Sequence, residues 1–282
     1  MAVTSGRLAT TRRAATRVPV RAGPIPQNVE VGAVDRHRLI IEHLSLHDRA
    51  SVAELAELAG TSEMTIRRDL EMLESRGALR RVHGGAVKVA LSATDLPYGL
   101  RALTNHEAKE RIGKAAADSL VTGETVILDT GSTTAAVARA MAGRTLTVTP
   151  LSLHSLFPLS LSEGIQLMLP GGRVRPGELS IVGGMTEAAF TDFRYDTFII
   201  GCCGIDAEQG ATAVDLEDVR IKRAAITASR RRIVVATAEK LGRVTLARIC
   251  PTSQVDLLVT DADDGAEEVA LLREAGVSVV CV

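Results

Sequence analysis

The sequence predicts a small winged helix-turn-helix block followed by a larger, Rossmann-like open α/β domain. Three observations carry that expectation. Residues 34–89 hold short amphipathic helical segments separated by capping and turn residues, then an alternating basic and apolar stretch that turns at Gly84-Gly85. From about residue 105 onward, β-branched runs alternate with helical stretches. Repeated β-α units build a mostly parallel sheet with helices on both faces. The composition allows both parts, with 46% hydrophobic and 24% charged residues, an ordinary globular balance.

Charge and residue usage narrow the function. Lys and Arg total 33 against 34 Asp and Glu, a net charge of −1, which argues against a strongly cationic nucleic-acid coat protein. The charge is unevenly spread: residues 1–33 carry five Arg and one Glu, and the acidic excess falls beyond residue 89. Aromatic residues are 2% and Trp is absent. The core must then be aliphatic, and aromatic base-stacking platforms are excluded. Cys202, Cys203, Cys250 and Cys281 form no C-x-x-C pair and no Cys/His zinc spacing. Free, buried thiols in a reducing, cytoplasmic setting are expected, with no metal and no cofactor. No run of 18 apolar residues exists, so no membrane-spanning helix is expected. The organisation predicted is a flexible basic arm (1–33), a helix-turn-helix block (34–89), a linker (90–104) and a second domain (105–282).

The first block starts with Arg36–Leu44, apolar at helical spacing. Ser51-x-x-Glu54 is a capping box that starts a second helix, ending at Gly60. Ser62 caps a third, Glu63 to Arg76, stopping at Gly77. Ile66, Leu70 and Leu73 share one face and should pack on the second helix. Glu63, Met64, Thr65 and Arg68 project away, the division a DNA-reading helix needs. Arg67 lies about 100° from Arg68 around the helix. Arg80, Arg81 and His83 form a basic wing placed to meet phosphates. TIRRDL followed by LRRVHGGA resembles the signature of DeoR-type bacterial transcription regulators, over residues 35–87. The resemblance implies double-stranded operator DNA as a partner, contacted by Ser62, Glu63, Met64, Thr65, Arg67, Arg68, Arg80, Arg81, His83 and Gly84.

The second domain begins with a helix at 107–122 and a buried strand, Thr125–Leu128, ending in Asp129-Thr130-Gly131-Ser132-Thr133-Thr134. A helix over Ala135–Met141 follows. A strand, a glycine loop and a helix start form an anion-binding place, because free backbone N–H groups and the helix dipole point at the loop. Further strands are expected at Thr145–Thr149, Ile165–Leu169, Thr197–Ile200, Arg232–Ala236, Val255–Thr260 and Val277–Val282. Helices are expected at Leu151–Leu161, Thr186–Phe193, Asp215–Ser229 and Ala266–Ala275. The loops holding Asp129, Gly131, Gly171, Asp206 and Lys240 should lie beyond the C-terminal strand ends, where such sheets bind ligands.

LDTGSTT, LPGG, the stretch from Asp196 through GCCGID, GAT and EDVRIKR, over roughly 105–261, resemble the DeoR-type sensor domain. That domain is similar to ribose-5-phosphate isomerase and glucosamine-6-phosphate deaminase. The resemblance implies a repressor of a carbohydrate operon modulated by a phosphorylated sugar. Gly131, Ser132, Thr133 and Thr134 would hold the phosphate. Asp129, Asp206, Lys222 and Lys240 would line the sugar pocket, with Gly171 and Gly172 beside them. Thr149-Pro150, Cys202-Cys203 and Glu239 depart from the family pattern and leave the ligand's identity open. The alternative is a fused isomerase- or deaminase-like enzyme with Asp206 as base. Beyond the wing its only histidines would be His106 and His154, and no catalytic residue is expected. A third reading is an architectural DNA binder that has lost its ligand. Operators are read by symmetric dimers, so a homo-oligomer held by the second domain is expected.

Overall fold

A computed structural model describes residues 32–75, 78–88 and 97–282. All but two residues of the expected arm lie outside the described residues, as do Arg76 and Gly77 at the expected end of the third helix. The winged block runs α1 (Ala33–His47), β1 (Arg49–Ser51), α2 (Val52–Ala59), α3 (Glu63–Ser75), β2 (Leu79–Val82) and β3 (Gly85–Lys88). Its strands form an antiparallel sheet in the order β1-β3-β2. The capping box is in place: Glu54 N–H donates to Ser51 Oγ at 3.2 Å, and Ser51 N–H donates to Glu54 Oε2 at 2.7 Å. Gly60 ends α2 in the left-handed conformation, which glycine adopts without a Cβ penalty. Ile40, Leu44, Leu55, Ile66, Leu70, Leu73 and Leu79 close one core. At Gly85 a Cβ would meet the Ala50 carbonyl oxygen at 2.2 Å, so only glycine lets β3 approach β1 this closely.

Asp69 of α3 turns into this core, with 4% exposure. It accepts from Arg36 Nε at 2.8 Å and Nη2 at 3.2 Å, and lies 3.0 Å from His37 Nε2. The pair ties α1 to α3.

A short helix, α4 (Tyr98–Leu103), occupies the stretch expected to be a linker. Leu100 is 1% exposed and belongs to the winged-helix core, and Leu103 packs against it. The apolar 100/103 spacing matches one helical face. The first core thus takes in Leu100 and reaches Leu103.

The larger part follows as α5 (His106–Asp118), β4 (Thr125–Leu128), α6 (Ser132–Ala140), β5 (Leu146–Pro150), α7 (Leu153–Ser160), β6 (Ile165–Leu167), β7 (Arg173–Val174) and β8 (Ile181–Val182). Then come α8 (Gly184–Asp192), β9 (Tyr195–Gly201), β10 (Gly204–Asp206), β11 (Gly210–Ala213), α9 (Leu216–Ala228) and β12 (Ser229–Val235). The chain closes with β13 (Ala247–Cys250), β14 (Leu257–Thr260), α10 (Glu267–Glu274) and β15 (Ser278–Cys281). Seven strands form a parallel sheet in the order β15-β14-β12-β9-β4-β5-β6. Two apolar clusters fill its faces, one containing Ile112, Val126, Val137 and Ile233, the other Phe198, Ile200, Val219 and Val269. The antiparallel sheet β10-β11-β13 and the hairpin β7-β8 add to the expected β-α units. Strand order reverses at β4, between β5 and β9, so the crevice lies beyond the carboxyl ends of β4 and β9.

Replacing Asp69 with alanine removes the carboxylate that faces buried His37 and accepts from half-buried Arg36. Asp69→Ala is expected to lower the unfolding free energy by on the order of 3 kcal/mol, measured by urea denaturation. A loss below about 0.5 kcal/mol, the scale of an ordinary surface change, would contradict the role assigned to this pair.

Candidate DNA-reading helix and anion-binding cleft

On α3, Ile66, Leu70 and Leu73 are buried, while Glu63, Met64, Arg67 and Arg68 are exposed. Ser62 Oγ accepts from Thr65 N–H at 3.2 Å and lies 2.9 Å from Thr65 Oγ1. Arg67 donates to Glu63 at 2.8 Å across one helical turn. In the wing, Arg81 is held against α3: its N–H donates to Glu74 at 2.8 Å and Nη1 to Glu71 at 3.0 Å. Arg80, His83 and Gly84 are exposed. Gly84 turns at φ +77° and accepts from Val52 N–H at 2.9 Å, which pins the wing turn to the start of α2. Arg68 and Arg80 form no ion pair among the described residues. They are the cations least committed to neighbouring carboxylates.

The crevice beyond β4 and β9 is a cavity of about 280 Å³, near the lower end of the 300–1,000 Å³ typical of ligand pockets. One wall is the β4–α6 turn. Gly131 sits at φ +129° and α6 has no side-chain cap, so the first helical amides lack intrahelical acceptors. Thr134 Oγ1 donates to Gly131 O at 2.9 Å. Thr130 Oγ1 and Thr133 Oγ1 are buried with no hydrogen-bond partner among the described residues.

The floor is a buried ion pair. Asp129, 1% exposed, accepts from Gly201 N–H at 2.8 Å and from Lys222 Nζ, which also donates to Gly201 O at 2.9 Å. Burial pulls the Lys222 pKa down, but Asp129 and Asp218 outweigh it and hold the pKa above its ordinary value. Arg175 pairs with Asp215 at 2.6 Å and Asp218 at 2.8 Å. Burial pushes the Asp218 carboxyl up despite Lys222 and Arg175. Arg101 is bidentate to Glu178, at 3.1 and 2.5 Å. Lys240 Nζ donates to Cys202 O at 2.9 Å and forms no ion pair among the described residues. Burial pushes the Cys202 thiol up to about 11, so it is neutral near pH 7. All four cysteines are free.

The structure brings Gly131, Ser132, Thr133, Thr134, Lys222 and Lys240 together around this cavity, with Asp129 beneath them. It does not bring Asp206, Gly171 or Gly172 into the lining. Asp206 Oδ1 accepts from Glu208 and Gln209 N–H, both at 2.9 Å, and closes the turn between β10 and β11. Gly171 O accepts from Thr186 Oγ1 at 2.8 Å, and a Cβ on Gly172 would meet that hydroxyl at 2.2 Å. These two glycines seat α8. Glu239 accepts from Thr237 Oγ1 at 3.1 Å. Sequence reasoning missed Arg101, Arg175, Glu178, Asp215 and Asp218. Only Asp215 left a readable sign, an N-cap whose Oδ1 accepts from Asp218 N–H at 2.9 Å.

Lys109 lies behind the cleft, 5% exposed, and donates to the carbonyls of Thr104 at 2.6 Å and of Arg101. Desolvation, helped by the positive charge of Lys240, lowers its pKa to about 7. No helix among the described residues is long and apolar enough to cross a membrane.

Residues 104–262 match the family described as the DeoR C terminal sensor domain, and residues 36–90 match the DeoR-like helix-turn-helix domain. The chain is 32% identical over 247 residues to the HTH-type transcriptional regulator GlpR of Haloferax volcanii, covering 87% of this chain and 96% of that protein. It is 35% identical over 228 residues to the glycerol-3-phosphate regulon repressor of Escherichia coli K12, covering 80% and 90%. Ribose 5-phosphate isomerase A from Methanocaldococcus jannaschii aligns over 49% of this chain and 55% of that one, with 16% identity and a TM-score of 0.36, a likeness that carries no functional argument. The chain belongs to the DeoR family and is a DNA-binding transcriptional regulator.

Two outcomes are expected. Arg68→Ala should weaken binding to the chain's operator by about 1–3 kcal/mol, read by fluorescence anisotropy. Wild-type affinity in both Arg68→Ala and Arg67→Ala would remove α3 from the DNA interface. For Lys109, the folded pKa lies below the unfolded one. The unfolded chain therefore binds the extra proton between about pH 7 and 10.5, and stability gains from this group as pH rises through that window. Urea titrations at pH 7 and 9 should show wild type gaining stability relative to Lys109→Met. A pH-independent difference would contradict the shift.

Proposed function

We propose that this chain is an operator-binding repressor of a carbohydrate operon whose DNA affinity is set by a small phosphorylated sugar or polyol in the cleft. It acts in the cytoplasm as a homo-oligomer, because one winged helix buries too little surface to read an operator alone. The observation that carries the ligand class is the β4–α6 turn. It offers uncapped helical amides, the partnerless hydroxyls of Thr130 and Thr133, and Lys240 across the cavity. A phosphate ester presents several acceptor oxygens and negative charge, which fits donors, a helix dipole and one compact cation. The size of the cavity favours a small metabolite. A relative is named as a glycerol-3-phosphate regulon repressor, which supports the same class.

The enzyme alternative draws less support from the cleft. Asp206, its candidate base, lies outside the lining. Glu178, Asp215 and Asp218 are each paired with an arginine. A turnover assay with ribose 5-phosphate separates the two readings.

A phosphorylated sugar, and not the free sugar, is expected to shift operator affinity, since a neutral ligand leaves the turn's donors unpaired. Lys240→Ala should weaken a binding phosphosugar by roughly tenfold or more while leaving ligand-free operator affinity near wild type. Gly131→Val should do the same, because φ +129° disfavours a branched side chain. Calorimetry with a phosphosugar panel and parallel anisotropy titrations check this. No binding at millimolar concentration, or a full response in Lys240→Ala, would overturn the sensor reading.

A further inference from the structure

Helix α4 has two sides that serve different parts of the molecule. Leu100 is 1% exposed in the winged-helix core, and Leu103 packs on the same cluster. Arg101 lies about 100° further around the helix and lines the cleft beside Glu178. Three attachments tie α4 to the sensor half. Tyr98 stacks on His154 with ring centroids 3.4 Å apart and planes within 1°. Lys109 holds the carbonyls of Arg101 and Thr104. Arg101 is bidentate to Glu178, which sits in the turn between β7 and β8. Of the three, only the Arg101–Glu178 pair lies in the cavity lining.

That pair is also the one a ligand can contest. A planar guanidinium binds a phosphate with the same fork it presents to a carboxylate. Helix α4 lies against α6, so Arg101 and the α6 amides border one cavity. Arg175 is held by two carboxylates, and Lys222 by Asp129 on the floor. Arg101 and its partner Glu178 both line the cavity, so a ligand there can reach this pair directly.

We propose that Arg101 is an effector-binding residue whose guanidinium passes from Glu178 to the ligand's phosphate, and that this exchange carries cleft occupancy to the winged helix through α4. The inference rests on the phosphosugar reading of the cleft. A ligand shifts a two-state equilibrium only by binding the states differently, and competition for Arg101 supplies that difference. With Glu178 engaged, α4 is anchored to the β7–β8 hairpin. With phosphate engaged, α4 is released from the hairpin and drawn toward α6. Leu100 then moves within the winged-helix core, and the spacing of paired recognition helices changes with it.

The test uses the full chain, an operator fragment selected from a random DNA pool, and glycerol 3-phosphate, ribose 5-phosphate and inorganic phosphate as probes. Glu178→Gln removes the competing charge at nearly constant shape. It should bind the active probe at least threefold more tightly, and its ligand-free operator affinity should already lie near that of ligand-saturated wild type. Arg101→Gln should bind the same probe at least tenfold more weakly, and Arg101→Lys should recover part of that loss. Circular dichroism melts establish that each variant folds. If Glu178→Gln keeps both the wild-type operator affinity and the full ligand response, the coupling is wrong. If Arg101→Gln binds the probe like wild type, Arg101 is not a ligand residue. Either result with a responsive wild type leaves the sensor reading standing. A wild type that binds no probe removes both.

Discussion

The cleft depends on one buried ion pair, Asp129 with Lys222. It joins the carboxyl end of β4, the carboxyl end of β9 through both polar groups of Gly201, and α9. Each of these meets at the point where the strand order reverses. Desolvating both charges is costly, and removing either partner would leave the other uncompensated in a low-dielectric interior. The pair therefore fixes where the two sides of the crevice stand. It also consumes a lysine that would otherwise be an obvious ligand cation. On the proposed reading, the uncapped turn of α6, Lys240 and Arg101 would hold the anion.

The winged helix is organised by a second buried charge cluster, Asp69 with Arg36 and His37. It orients α3 against α1, so the exposed side of α3 is set by the same residue position that anchors it. The two halves then share α4. Leu100 of this six-residue helix lies in the winged-helix core, and Arg101 lines the cleft.

Much of this was legible in the sequence where the signal is local. The Ser51/Glu54 capping box, the αL stop at Gly60, the apolar face of α3 and the glycine turn after β4 are all read within a few residues, and their physics is equally local. The parallel sheet followed from repeated β-α units. The misses are long-range or short. Lys222 reaches Asp129 across 93 positions, so sequence presents it as a free cation. Asp69 reads as a surface residue of a charged helix until α1 is packed against it. Asp206 reads as a strand-end ligand because nothing in GID announces a β-turn at Glu208. Strands such as β11, Gly210–Ala213, are too short and small-chained to show alternation. Arg101 lies in a stretch without a motif, and only the fold places it in the cleft.

The central claim is that a phosphate group sits at the start of α6. Phosphorus-31 NMR of a phosphosugar titrated with the full chain tests it directly. The account predicts a distinct bound resonance whose pKa lies below the value of about 6 of a free phosphate monoester, because helical amides and Lys240 favour the dianion. A phosphosugar whose resonance and titration are unchanged by saturating protein would contradict it.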